Sequence, residues 1–458
     1  MTPLYPYQEI GVLKLESTGG RGLLGDEQGL GKSIQSLAWY RRYLYPAGPA
    51  VIVCPATVKW NWANEASKHL NLRAEILETT RPPRINSGFI SKRCVLIINY
   101  DILYAWVRWL LHLEPQLVIG DEVQKICNMQ ARCTRAFHRL CKPVPHVLAL
   151  SGTAMKNRPI ELFSACHVLW PEEFPSMLDF GWKYCQPEKV FGVWKFKGAA
   201  NLPHLNKKLN RLGMVRRLKK DVLKDLPAKT RTIIPVDIKD RGQYQKAMTN
   251  FFAWLKTYEP GKSPSERAEK LVQIGYLKRL AARLKMGSVI DWIEDFLMAT
   301  DGKLIVFGIH KKILRPLHER FPASVLLDGE VVGKDRQKMI DQFSHDKRIR
   351  IMFGNIVAAG VGWNGTAANT VAFAELTWDP ASHTQAEDRI HRIGQKNAAN
   401  VYYLVARNTI ETVLCAILQK KQRILDQVLD GGIDRGGLSV FNELFERMAS
   451  ISNTPEEK

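Results

Sequence analysis

The sequence predicts an α/β protein built from two parallel-sheet lobes in tandem, and three observations carry that prediction. First, short apolar runs rich in β-branched residues recur in two series. The first series lies at 51–54, 95–98, 117–119 and 147–150, the second at 304–307, 325–327, 349–353, 371–373 and 401–405. Brief runs of this kind, separated by helix-length stretches, read as strands buried on both faces of a parallel sheet. Second, residues 157–285 between the two series have another texture, with scattered aromatics, prolines and basic clusters and little strand signal. Third, 458 residues exceed one ordinary domain and suffice for two or three.

Taken in order, residues 1–235 form the expected first lobe, with a helical protrusion at about 157–215. Residues 236–285 form a helical linker and 286–458 the second lobe. Within the linker, 271–285 reads as a helix with Leu271, Ile274, Leu277 and Leu284 on one face. Lys278, Arg279, Arg283 and Lys285 flank that stripe, either as a solvated face or as one turned to a polyanion. A long helix is expected at 409–429. The pairs Gly431-Gly432 and Gly436-Gly437 separate it from a short last helix and a frayed tail from Asn453.

Composition narrows the class. A hydrophobic content of 45% with 24% charged residues is that of a globular chain, not a disordered one. Lysine and arginine number 66 against 45 acids, a formal charge of +21, which suits a polyanionic partner. The eight cysteines include no C-x-x-C pair, and Cys127, Cys133 and Cys141 fit no zinc template, so free thiols in a reducing compartment are expected. No apolar run is long enough for a transmembrane helix, and the first residues lack the build of a secretory signal. These features predict an intracellular chain with no membrane partner.

The chemistry is concentrated in four segments. G-D-E-Q-G-L-G-K-S at 25–33 follows a short strand candidate at 22–24 and leads into a helix. A glycine loop at a helix N-terminus presents backbone N–H groups to phosphates. Lys32 can reach the β and γ phosphates, and Ser33 would place its hydroxyl on magnesium. Asp26 stands where the general loop pattern has glycine. L-V-I-G-D-E-V-Q at 117–124 ends an apolar strand in two carboxylates, Asp121 for magnesium and Glu122 for the attacking water. L-A-L-S-G-T at 148–153 ends a third strand in hydroxyls, and Ser151 and Thr153 are placed to hydrogen-bond to those carboxylate residues. In H-T-Q-A-E-D-R-I-H-R-I-G-Q at 383–395, Arg389 and Arg392 are three apart and expected on one side of a helix. With Gln385 they would form a cationic face for a γ-phosphate, unless Glu387 and Asp388 pair with them on a charged surface helix. The glycine-rich stretch 358–364 is a weaker candidate for approaching nucleotide or nucleic-acid backbone.

In this order the segments resemble the Swi/Snf-like branch of the superfamily-2 helicase-like ATPases. Y-P-Y-Q at 5–8, V-I-V-C-P-A-T-V-K-W-N-W at 51–62, L-S-G-T-A-M-K-N-R-P-I-E-L at 150–162 and R-R-L-K-K-D-V-L-K-D-L-P-A-K at 216–229 extend the likeness along nearly the whole chain. V-A-F-A-E-L-T-W-D-P at 371–380 is similar to the annealing-helicase, fork-remodelling subgroup. The resemblance implies two RecA-like P-loop lobes with helical protrusions and ATP with Mg2+ at their interface. It gives Gln8 as the adenine-reading residue and Asp26, Glu27, Gly29, Gly31, Lys32, Ser33, Gly362 and Gln385 as nucleotide-binding positions. Lys32, Asp121, Glu122, Arg389 and Arg392 become the catalytic set, with Ser33 and Asp121 on the metal. Departures from the family pattern are Val123-Gln124, where a small residue and histidine are common, Ala154 in place of proline, and Gly365 in place of an apolar residue.

The function so implied is a DNA-dependent ATPase that translocates on duplex DNA without sequence preference. A strand-separating helicase and a non-catalytic DNA-binding scaffold are the alternatives. DNA contacts are expected around Lys59 and along the basic residues of 278–285, and the chain is expected to act as a monomer. A cytoplasmic, nucleoid-associated bacterial or phage protein is the expected setting, with a nuclear one as the alternative.

Overall fold

The computed structural model describes residues 3–83, 94–152, 159–190, 193–196, 198–257, 265–331, 333–359 and 363–418. The chain divides into two compact units, with the break between Leu226 and Pro227. The first contains strands β1 (Arg21–Leu24), β2 (Ala50–Cys54), β3 (Ala74–Leu77), β4 (Val95–Asn99), β5 (Leu117–Asp121) and β6 (His146–Leu150). A hairpin, β7 (Pro187–Val190) and β8 (Val193–Phe196), and the short β9 (Met214–Val215) follow. Its main sheet is wholly parallel, in the order β3-β4-β2-β5-β6-β1-β9. Every residue of β2 and β4 is buried, as near-continuous apolar runs between two helical layers require.

The second unit holds β10 (Lys229–Val236), β11 (Leu304–Gly308), β12 (Ser324–Leu327), β13 (Ile351–Asn355), β14 (Thr370–Phe373) and β15 (Ala399–Ala406). They form a second parallel sheet in the order β10-β15-β14-β11-β13-β12. Side chains alternate between two cores. Ile305, Phe307, Val371, Phe373, Val401 and Tyr403 join one, while Leu304, Val306, Ala372 and Leu404 join the other. The helices Arg241–Thr257 and Ser265–Leu284 pack on the first of these cores through Tyr244, Phe251, Ile274 and Leu277.

Both strand series and the two parallel α/β lobes are therefore present as the sequence predicts. The middle segment differs. The residues expected to link the lobes, 236–285, belong to the second unit, and the boundary falls at Leu226 instead of 235 because β10 pairs along its whole length with β15. Residues 157–285, read as poor in strand, also contain β7, β8, β9 and β10. Ser265–Leu284 confirms the helix read at 271–285. A helix begins at Ile410 as expected, but its continuation beyond Leu418, the glycine pairs and the tail lie outside the described residues. All eight cysteines are free thiols, and among the described residues no helix is long and apolar enough to cross a membrane.

Candidate functional site

Three adjacent strands of the first sheet end in register, Leu24 beside Leu150 and Leu150 beside Asp121. The residues that follow them, the 25–31 loop, Ser151 and Glu122, leave the sheet side by side at its carboxyl edge. That edge is where open parallel α/β sheets bind ligands.

The loop turns on two glycines. Gly29 and Gly31 have φ of 88° and 75°, the left-handed region that side chains disfavour. A Cβ on Gly31 would also lie 2.4 Å from Gln8 Nε2, so this glycine lets Gln8 pack directly on the loop. Gln8 is buried; its Nε2 donates to Leu30 O at 3.2 Å, and its Oε1 accepts from Tyr5 N at 3.0 Å. Tyr7 Oη donates to the same Leu30 carbonyl at 3.0 Å. The chain then enters the helix Lys32–Trp39, with Lys32 and Ser33 in its first turn. Lys32 Nζ donates to Asp26 O at 2.8 Å and Glu27 O at 3.4 Å, which curls its ammonium into the loop. Burial pulls the Lys32 pKa down, while Glu122, Asp26 and Asp121 pull it up.

Asp26 and Glu27, expected to bind nucleotide, are engaged elsewhere. The fully buried Asp26 carboxylate receives Arg217 through Nε at 3.0 Å and through Nη2, and Gln35 Nε2 at 3.0 Å. Glu27 accepts Lys219 N at 2.7 Å. Arg216 Nη1 donates to Gly25 O at 2.8 Å and Gly152 O at 3.1 Å. The R-R-L-K-K segment thus clasps the glycine loop from behind, and both acids brace the loop in place of lining it. Removing Arg217 strands a buried carboxylate, a change that costs about 3–5 kcal/mol in comparable pairs. Arg217→Met is accordingly expected to lower the thermal midpoint by many degrees. An unchanged melting curve would count against the brace.

The two carboxylates after β5 have different surroundings. Trp62 Nε1 donates to Asp121 Oδ2 at 2.8 Å, and Glu122 N to Asp121 Oδ1 at 3.0 Å. Burial, followed by the adjacent Glu122 charge, pushes the Asp121 pKa up to about 7. Glu122 adopts φ 51° and takes an amide donor on each oxygen, Gln28 Nε2 at 3.2 Å and Gln124 Nε2 at 2.6 Å. Gln124 Oε1 in turn accepts Ser151 Oγ at 2.7 Å. One chain of hydrogen bonds therefore runs from the glycine loop through Glu122 to the end of β6.

The residues present fit a magnesium ion. Two neighbouring carboxylates, one with its pKa raised by burial and then by the charge of the other, gain from a divalent cation, and a serine hydroxyl stands in the first turn of the adjacent helix. Among the described residues no cluster of three acidic, histidine or cysteine ligands occurs. Mg2+ is commonly held by one or two carboxylates plus phosphate and water.

In the second unit the helix Pro380–Glu387 is capped by Asp379, whose Oδ1 accepts Ser382 N at 2.8 Å. Gln385 lies on this helix, but Arg389 and Arg392 do not, contrary to expectation: the helix stops at Glu387 and both arginines follow in turns. The two acids at the stop are engaged with β10 and β15. Glu387 is buried against Lys229 Nζ at 3.0 Å, Arg231 Nη2 at 2.7 Å and Tyr403 Oη at 2.7 Å, and Asp388 accepts Lys229 at 3.2 Å. Burial alone would raise the Glu387 pKa, but Lys229 and Arg231 overcome it and hold the carboxyl well below the usual range. The turns still bring the arginines together, since Arg389 Nη1 and Arg392 Nη1 each donate to Trp363 O at 3.2 Å. Gly365 is required there, because a Cβ would lie 2.9 Å from Arg389 O. Gly362, Thr153 and Ala154 lie outside the described residues.

Three expected DNA contacts change character. Lys59 is buried, with Nζ 3.5 Å from Leu77 O and 4.0 Å from Glu78. Lys278 and Lys285 are buried too, on Leu376 O at 2.7 Å and Glu411 at 2.6 Å. Arg279 and Arg283 remain exposed. Sequence reading missed Gln28 altogether and noticed Gln124 only as a departure. Arg216 and Arg217 were visible in the R-R-L-K-K motif but without a role.

Residues 7–279 match the SNF2-related domain, and residues 288–394 match the helicase conserved C-terminal domain. The chain is 32% identical over 463 residues to the SWI/SNF-related matrix-associated actin-dependent regulator of chromatin subfamily A-like protein 1 of Xenopus tropicalis, covering 99% of this chain and 47% of that protein. It is 32% identical over 445 residues to the human DNA annealing helicase and endonuclease ZRANB3, covering 93% and 40%. The SWI2/SNF2 ATPase core of Sulfolobus solfataricus in complex with dsDNA is similar at 24% identity with a TM-score of 0.44, covering 94% of each chain. This chain spans less than half the length of those two curated relatives. With the motifs in order and the domain match covering more than half its residues, the chain belongs to the SNF2-related family of helicase-like proteins.

Proposed function

We propose that the chain is a DNA-dependent ATPase that uses ATP to move on duplex DNA. The observation that supports this best is the hydrogen-bonded chain Gln28–Glu122–Gln124–Ser151, which ties a phosphate-type loop, a candidate base and the end of a third strand into one network. In this reading Lys32, Ser33 and the loop amides hold the phosphates, Gln8 reads adenine, and Asp121 with Ser33 holds magnesium. Bound magnesium neutralises charge on the transferring phosphoryl group. Glu122 takes a proton from the attacking water, and Arg389 and Arg392 serve the γ-phosphate, with Gln385 beside them. The relatives carrying "annealing helicase" and "regulator of chromatin" in their names support DNA as the polymer, as does the charge of +21. We read the active species as a monomer.

The direct test is ATP hydrolysis measured without nucleic acid and with single-stranded, duplex and forked DNA. Duplex is expected to stimulate strongly, and hydrolysis indifferent to every nucleic acid would end the motor reading. Binding is expected to be electrostatic and independent of sequence. The logarithm of affinity should then fall linearly with the logarithm of salt, by roughly 0.9 per duplex phosphate neutralised. A salt-insensitive affinity, or tight preference for one base sequence, would contradict a tracking motor.

A further inference from the structure

The β7–β8 hairpin carries an aromatic platform that no step above uses. Trp182, on the helix Met177–Tyr184, and Trp194, on β8, are 49% and 45% exposed, values unusual for the largest apolar side chain. Their rings lie 4.7 Å apart at 62°. The platform is built, not incidental. Gly181 has no side chain, and a Cβ there would meet Phe196 Cδ1 at 2.6 Å, so the hairpin presses Phe196 directly onto the helix. Phe196 then backs Trp182 at 6.2 Å and 76°. Phe196 thus supports Trp182, against which Trp194 packs, and both indoles stay open to solvent.

A cation flanks the pair. Lys189 lies opposite Trp194 in the antiparallel register, with Nζ 5.8 Å from that ring, whereas the neighbouring Lys183 sits 5.6 Å over the Tyr184 ring. Glu188 alternates to the other face of the hairpin, opposite Lys195. Exposed indoles beside lysines form a surface on which unstacked bases lie while phosphates meet the ammonium groups. Paired bases do not offer their faces, because those faces are stacked inside the duplex. We infer that Trp182 and Trp194, with Lys189, form a binding site for unpaired nucleic-acid strand. The inference rests on the DNA-motor reading and adds to it a contact with single-stranded DNA beside the duplex.

The test compares binding of a labelled oligothymidylate and a labelled blunt duplex to the full chain. Replacing both tryptophans (Trp182→Ala with Trp194→Ala) should weaken oligothymidylate binding by roughly tenfold or more, since base stacking on aromatic rings is a main source of single-strand affinity. Duplex affinity should stay unchanged, and Trp182→Phe with Trp194→Phe should retain most of the single-strand binding. Equal loss on both ligands, or no loss on oligothymidylate, overturns the site; a protein partner would then be the better occupant of this face. Should the alanine pair fail to fold, tryptophan fluorescence decides. Oligothymidylate should quench the unaltered chain more than the Trp194→Phe variant, and equal quenching sinks the proposal. Duplex-stimulated ATP hydrolysis by the unaltered chain, run in parallel, reports separately on the motor reading.

Discussion

Glu122→Gln is expected to stop ATP turnover while sparing both the fold and ATP binding. Each Glu122 oxygen accepts an amide donor, Gln28 on one side and Gln124 on the other. The substituted amide keeps one acceptor and turns its own NH2 toward the second donor. Gln124 can answer by flipping, because its other partner is the Ser151 hydroxyl, which donates or accepts equally well. The network therefore re-forms, and the melting temperature should change little. What is lost is the proton acceptor, and general-base catalysis is commonly worth about 10²–10⁴ in rate. Phosphate release should fall by that order at saturating DNA, with binding of a fluorescent ATP analogue retained. Turnover close to that of the unaltered chain would remove Glu122 from the chemistry.

Much of this site could be read from sequence because its parts are local. A glycine loop, its lysine and the following helix occupy consecutive positions, and Asp121-Glu122 ends a short apolar run of the kind a buried strand shows. The parts that could not be read depend on partners far along the chain. Asp26 sits in the middle of the loop motif and looks like a ligand, but Arg217, 191 positions later, claims its carboxylate. The charged and β-branched mixture of β10 hid a strand, because Lys229 and Arg231 are there to meet Glu387, 158 and 156 positions away. The helix stops at Glu387, where this pairing sits, so the two arginines do not share a helix face as expected. Lys278 and Lys285 show the same limit. Their spacing on an amphipathic helix suggests a solvated stripe, but Leu376 O and Glu411 satisfy them inside the second unit. Periodicity sees which residues share a face and not what waits opposite them.

The arginine turn gives the other large effect, and here the two arginines should separate. Arg389 is buried and held twice, through Nε to Gln385 O at 3.2 Å and through Nη1 to Trp363 O at 3.2 Å. Arg392 is only half-buried and shares that same Trp363 carbonyl. Two like charges converging on one carbonyl repel each other, so a phosphate brought near would stabilise both and draw the more exposed one outward. In the proposed reaction this makes Arg392 the group that meets charge developing on the γ-phosphate, an effect worth about 10³–10⁵ in rate in well-studied cases. Arg392→Ala is therefore expected to cut DNA-stimulated turnover at saturating ATP by about that factor, with duplex affinity and melting temperature close to those of the unaltered chain. Arg389→Ala should lower turnover and melting temperature together, because it removes a buried brace of the turn as well as a positive charge. Near-normal turnover for Arg392→Ala would exclude it as the finger. A melting temperature equally low for both variants would mean that both arginines only hold the turn on Trp363.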